Sequence, residues 1–77
     1  MKDEKGIEVF RKLEYFYKNN LRVHFKDLDT IFYNGLIIDL NKDKLTMVLN
    51  ERVRGTIPIL LEFIDSNSIQ KFKEEVK

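Results

Sequence analysis

The chain of 77 residues has no cysteine, so no disulfide and no thiolate metal site can support its fold. One proline and three glycines are too few for a loop-rich or low-complexity chain. Gly35 and Gly55 stand alone, so there is no glycine-rich phosphate loop. His24 is the single histidine, and Ser66 and Ser68 have no base near them in sequence. A nucleophile needs a base, and a base needs an orienting group, so no catalytic constellation is legible. With one histidine and no EF-hand spacing around Asp39, Asp43 or Glu51, no metal site is expected either. No cofactor or small-molecule substrate is expected. Neither sign of charge dominates: 14 Lys and Arg face 13 Asp and Glu, for a net +1. A strongly basic nucleic-acid footprint is therefore absent overall and has to be local. No apolar run approaches the ~20 residues of a membrane helix. The charged start, Met1-Lys2-Asp3-Glu4-Lys5, lacks the apolar segment of a secretory signal. These absences point to a cytoplasmic protein with no membrane partner, organised as one domain over 1–77.

What is present is an apolar fraction of 43% arranged in two different periods. Over about 3–19, Val9, Phe10, Leu13, Phe16 and Tyr17 share one helical face. Asp3 is a candidate N-cap, and Glu8–Lys12 and Glu14–Lys18 are i,i+4 pairs in the favourable order. Asn19-Asn20 is a stop, because Asn tolerates the left-handed conformation at a helix end.

From Leu21 onward the period falls to two. Leu21, Val23 and Phe25 alternate with Arg22, His24 and Lys26, as in a half-buried strand. After a polar turn at 27–30, 31–40 reads as one long strand interrupted by Asn34-Gly35. A hairpin there would leave two very short strands, whereas a glycine inside one strand lets it bend. Turns are expected at 41–44, 51–55 and 65–68, with strands at 45–50 and 56–64 between them and a short last strand anchored by Ile69 and Phe72. Pro58 cannot donate to a ladder and belongs at an edge or bulge. The second and fourth strands look apolar on both faces, so one face needs a cover beyond its own sheet. The predicted fold is mainly β with one N-terminal helix: a strongly bent, five-stranded antiparallel small barrel over about 21–72, with a short C-terminal tail.

The run Val23-His24-Phe25-Lys26-Asp27, then Phe32-Tyr33-Asn34-Gly35-Leu36, then the polar turn 41–44 and the aliphatic strand from Leu45 to Leu49 resembles the first signature of the Sm-like (Lsm) superfamily, whose fold is an SH3-like barrel. The resemblance covers about 8–72. It implies an RNA-binding module that assembles into rings by pairing its last two strands between neighbours. The Asp and Asn with which such proteins hold oligouridine correspond to Asn41 and Leu45 here. The family's Arg-Gly corresponds to Arg54-Gly55, one connection earlier than in the family pattern.

The candidate site residues are cations and an amide in two turns. Lys42 and Lys44, with Arg52 and Arg54, would contact phosphates of single-stranded RNA if both turns fall on one rim, and Asn41 would add amide contacts. Arg22, His24 and Lys26 form a second basic stripe. Tyr15, Tyr17, Phe32 and Tyr33 are the rings best placed to reach a surface and stack bases, although aromatics at such spacing usually belong to a core. Leu60, Phe63 and Ile64 are the expected interface of a homo-oligomer. The function predicted is a non-enzymatic RNA-binding module; the alternative is a protein-interaction or assembly barrel that binds no nucleic acid.

Overall fold

A computed structural model describes residues 4–71. Asp3, Phe72 and the tail lie outside them. Helix α1 runs over Glu4–Lys18. Its stop is a left-handed residue, Asn20 at φ 54°. The Leu21 N–H closes back on the Phe16 carbonyl at 3.0 Å and the Asn20 N–H on that of Tyr17 at 3.3 Å, which is a Schellman-type cap.

Five strands follow: β1 Arg22–Lys26, β2 Phe32–Asn41, β3 Thr46–Glu51, β4 Gly55–Leu60 and β5 Gln70–Lys71. All are antiparallel, in the order β4-β3-β2-β1-β5. The turn 27–31 is closed by Asp27, whose carboxylate accepts from the N–H groups of Asp29 and Ile31, with Thr30 left-handed at φ 65°. Pro58 lies in β4, an edge strand, where a missing N–H costs the sheet least.

The sheet curls hard. Leu60 stands level with Asn41 through Thr46, whereas Ile64 bridges Asp27 beyond the opposite end of β2. On a flat sheet those points would lie more than ~35 Å apart, counting strand spacings and residue rises. The chain between them reaches about 14 Å at most. Two features of β2 supply the bend. At Gly35 the backbone of β3 comes so near that a Cβ would run into the Asn50 carbonyl and lie 2.9 Å from the Glu51 Cα. At Ile38 a bulge shifts the register between Ile37 and Asp39. The sheet is curled but open rather than the closed barrel expected, and among the described residues β4 and β5 are its edges.

The bulge also accounts for the doubly apolar look of β2. It inserts Ile38 into the alternation, so Ile37 and Leu40 both face inward while Ile38 is exposed. In the fourth segment the strand stops at Leu60 rather than continuing to 64, and Leu61–Phe63 is a 3-10 turn. Leu61 and Ile64, three apart, then point the same way, into the core. Helix α1 closes the concave side, packing Val9, Phe10, Leu13 and Phe16 onto Val23, Phe25, Ile37, Met47, Leu49, Leu61 and Ile64. Each such side chain contributes roughly 1.5–3 kcal/mol on leaving water. On the outward, convex face of β1 and β2, Arg22 and Phe32 are exposed and His24, Lys26, Asn34 and Leu36 are half-buried.

Candidate nucleic-acid interface

Successive antiparallel hairpins turn at opposite ends of their shared strand. The turn 41–45 enters β3 at Thr46, and the turn 52–54 leaves it after Glu51. Lys42 and Lys44 are therefore separated from Arg52 and Arg54 by the length of β3, about 17 Å. The two cation pairs do not share a rim. Asn41 caps its own turn, its Oδ1 accepting from the Lys44 N–H at 2.9 Å. Lys42, Lys44 and Arg52 are exposed.

Arg54 is committed to the fold. Its guanidinium lies 4.7 Å above the centre of the Tyr33 ring, 3.4 Å from the Glu51 carboxylate, and donates to the Phe32 carbonyl at 3.4 Å. Glu51, only 3% exposed, is the anchor of this corner. Its carboxylate accepts from the backbone N–H of Asn34 at 3.0 Å, Val53 at 2.9 Å and Arg54 at 2.8 Å. Burial by itself would push its pKa up; the N–H groups of Asn34, Arg54 and Val53, with the Arg54 charge, outweigh burial and hold it below the ordinary 4.5. Asp27 behaves alike. Burial opposes its ionisation, but the Ile31 N–H, the Tyr33 hydroxyl, the Asp29 N–H and Arg54 leave its pKa below 3.8. The Tyr33 hydroxyl donates to Asp27 at 3.0 Å; burial first, then that bond, raises its pKa above 10.0. Neither carboxylate was legible as a structural centre, because each acts through backbone groups that only the register brings near.

The even-numbered residues of the same segment form a different surface. Phe32 and Asn34 of β2 face outward beside Lys26 and His24 of β1, their register partners. Phe32 is 54% exposed, and its ring stacks on that of His24 with centroids 5.4 Å apart and planes 10° from parallel. The His24 Nδ1–H donates to Asn34 Oδ1, so the imidazole is held in place. Next to the ring pair an open groove of about 340 Å³ is lined by His24, Lys26, Phe32, Asp65, Asn67 and Gln70, among others. Ser68 fixes its far wall: its Oγ accepts from the Lys26 N–H at 2.9 Å and donates to the Asp65 carbonyl at 2.7 Å. The structure thus sets His24 and Lys26, of the second basic stripe, beside the Phe32 ring and Asn34. Tyr33 instead packs inward against Phe25.

Of the expected interface residues, Leu60 and Phe63 are exposed at 44% and 52%. Ile64 is not available to a partner: at 1% exposure it belongs to the core, because the 3-10 turn rotates it under α1. Among the described residues, no cluster of His, Asp and Glu could hold a metal ion, and no helix is long and apolar enough to cross a membrane. No family model, no curated protein and no solved structure matches the chain.

Proposed function

We propose that the protein is a non-enzymatic RNA-binding module of the Sm-like kind, acting as a homo-oligomer, and that it holds single-stranded RNA across the convex face of β1 and β2. One observation carries this reading: the exposed Phe32 ring, stacked on His24 amid polar neighbours. Such a ring contributes little to folding where it stands. Nucleobases stack on aromatic faces at roughly 1–3 kcal/mol per base, whatever the sequence. Lys26 beside the rings and Arg22 further along β1 supply phosphate contacts. Lys42, Lys44 and Arg52, at the two ends of β3, add sequence-independent attraction. The helix followed by a five-stranded antiparallel sheet bent at Gly35 supports the Sm-like assignment.

The test is fluorescence anisotropy with single-stranded RNA at several salt concentrations. Phe32→Ala should weaken binding by about 5- to 100-fold. Lys26→Ala should lower the salt slope by about one. No binding at low salt refutes the proposal.

Assembly rests on the unpaired edge of β4 and on the exposed Leu60 and Phe63 beside its end. Light scattering at micromolar concentration decides it, and a stable monomer overturns it. The reading without nucleic acid, an assembly barrel, is favoured by one contact. The Leu28 N–H bonds the Phe63 carbonyl at 2.9 Å, which brings two exposed apolar side chains to one rim. An oligomer that binds no RNA would establish that alternative.

A further inference from the structure

An aspartate in the lining of an RNA groove calls for an explanation, because its charge repels phosphate. Asp65 lines the groove beside the Phe32–His24 pair. Its position is fixed on three sides. Its N–H donates to the Lys26 carbonyl at 3.0 Å, its carbonyl accepts from the Ser68 N–H at 2.9 Å, and its Oδ1 accepts from the Asn67 N–H at 3.1 Å. Oδ2 has no hydrogen-bond partner among the described residues, and each carboxylate oxygen has lone pairs for more than one donor. Three residues of the same lining have side chains that can donate: Lys26, Asn67 and Gln70.

A flat ligand that stacks on the ring pair, offers two adjacent N–H donors to a carboxylate and offers an acceptor to an ammonium or amide fits this lining. Among the RNA bases that description belongs to guanine. Its N1–H and N2–H2 are parallel donors on one edge, with O6 beside them. Adenine and cytosine present a single exocyclic amine. Uracil presents one N–H between two carbonyl oxygens, which a carboxylate repels.

We propose that the groove between β1 and the 65–68 turn is a guanine-reading subsite, with Asp65 accepting from N1–H and N2–H2 and Lys26 or Asn67 donating to O6. This rests on the RNA-binding reading above and adds base selectivity to it.

The test compares short uridine oligonucleotides carrying one central guanosine, inosine, adenosine or uridine, by anisotropy on the full chain. Guanosine should bind tighter than adenosine or uridine by about tenfold, the scale of one bidentate base contact. Inosine lacks the N2 amine and should lose most of that advantage. Asp65→Asn keeps an acceptor for the Asn67 N–H. It should level the four ligands without weakening the all-uridine one, and Phe32→Ala should weaken all four together. Equal binding of guanosine and inosine by the wild type, or a guanosine preference that survives Asp65→Asn, overturns the subsite and leaves the RNA-binding reading standing. Failure to bind any of the four overturns both.

Discussion

Replacing Glu51 by Gln removes one charge and leaves the shape of the side chain almost unchanged. In the native corner Oε1 accepts from the Val53 and Arg54 N–H groups and Oε2 from that of Asn34. The best placement of a glutamine keeps its oxygen on the first pair, so its NH2 then faces the Asn34 N–H, donor against donor. Leaving that N–H unsatisfied costs about 1–3 kcal/mol. The two remaining bonds lose charge assistance, roughly half their strength. Together the loss should be about 2–4 kcal/mol, a large part of the ~5–15 kcal/mol that keeps an ordinary domain folded. The expected fall in Tm is on the order of 10–25 °C. Acid provides the sign check. The folded-state pKa of Glu51 lies below its ordinary 4.5, so its stabilisation is present above that pH and is lost as pH falls through the folded value. Asp27, whose pKa is also lowered, contributes to the acid response of both proteins, so the effect of Glu51 is read from the difference between them. Urea unfolding of wild type and Glu51→Gln from neutral pH down through the carboxylate range should show curves that converge in acid. A difference below about 0.5 kcal/mol at neutral pH, the scale of a neutral surface change, would refute the argument. So would a gap that acid does not narrow.

Gly35→Ala should destabilise by several kcal/mol or prevent folding, because its Cβ has only the backbone of Asn50 and Glu51 to displace; normal thermal unfolding of this variant would contradict the close approach. Thr30→Gly should stabilise by about 1 kcal/mol, since a β-branched residue is held at φ 65° there; a lower urea midpoint would show that the Thr30 side chain matters more than its backbone strain.

The elements whose signal is a local period were legible in the sequence. Val9, Phe10, Leu13 and Phe16 do form the buried stripe of α1, and Asn20 does end it in the left-handed region. Val23 and Phe25 face the core from β1, and Gly35 lies inside one long strand. What escaped depends on a change of period within an apolar run. Ile37, Ile38 and Leu40 look like a two-faced strand until the bulge at Ile38 is known, and nothing in the aliphatic run Leu36-Ile37-Ile38 marks which residue is extra. Leu60, Leu61, Phe63 and Ile64 look like continued strand. The spacing of three between Leu61 and Ile64 matters only because the chain has to cross from β4 to the side of β1 within four residues.

The site was partly hidden for a related reason. Lys42, Lys44, Arg52 and Arg54 are close in sequence, but a hairpin reverses the chain, and two successive reversals put them at opposite ends of β3. Register, not spacing, assembled the surface that replaced them. In 32–35 the alternation sends Phe32 and Asn34 outward and Tyr33 and Gly35 inward. Asn34 belongs to both sides: its N–H is held by Glu51, its carbonyl by the Arg52 N–H at 2.7 Å, and its side chain by His24. The inner carboxylate therefore fixes the backbone from which the outer ring pair is displayed. A slip of one residue in β2 would bury Phe32 and expose Tyr33. Glu51, which holds the Asn34 N–H, and Gly35, where a side chain would meet the β3 backbone, oppose that slip. The stability of the curled sheet and the geometry of the convex face are set by the same short segment. A substitution that loosens Glu51 should weaken stacking on Phe32, although no atom of Glu51 faces the groove.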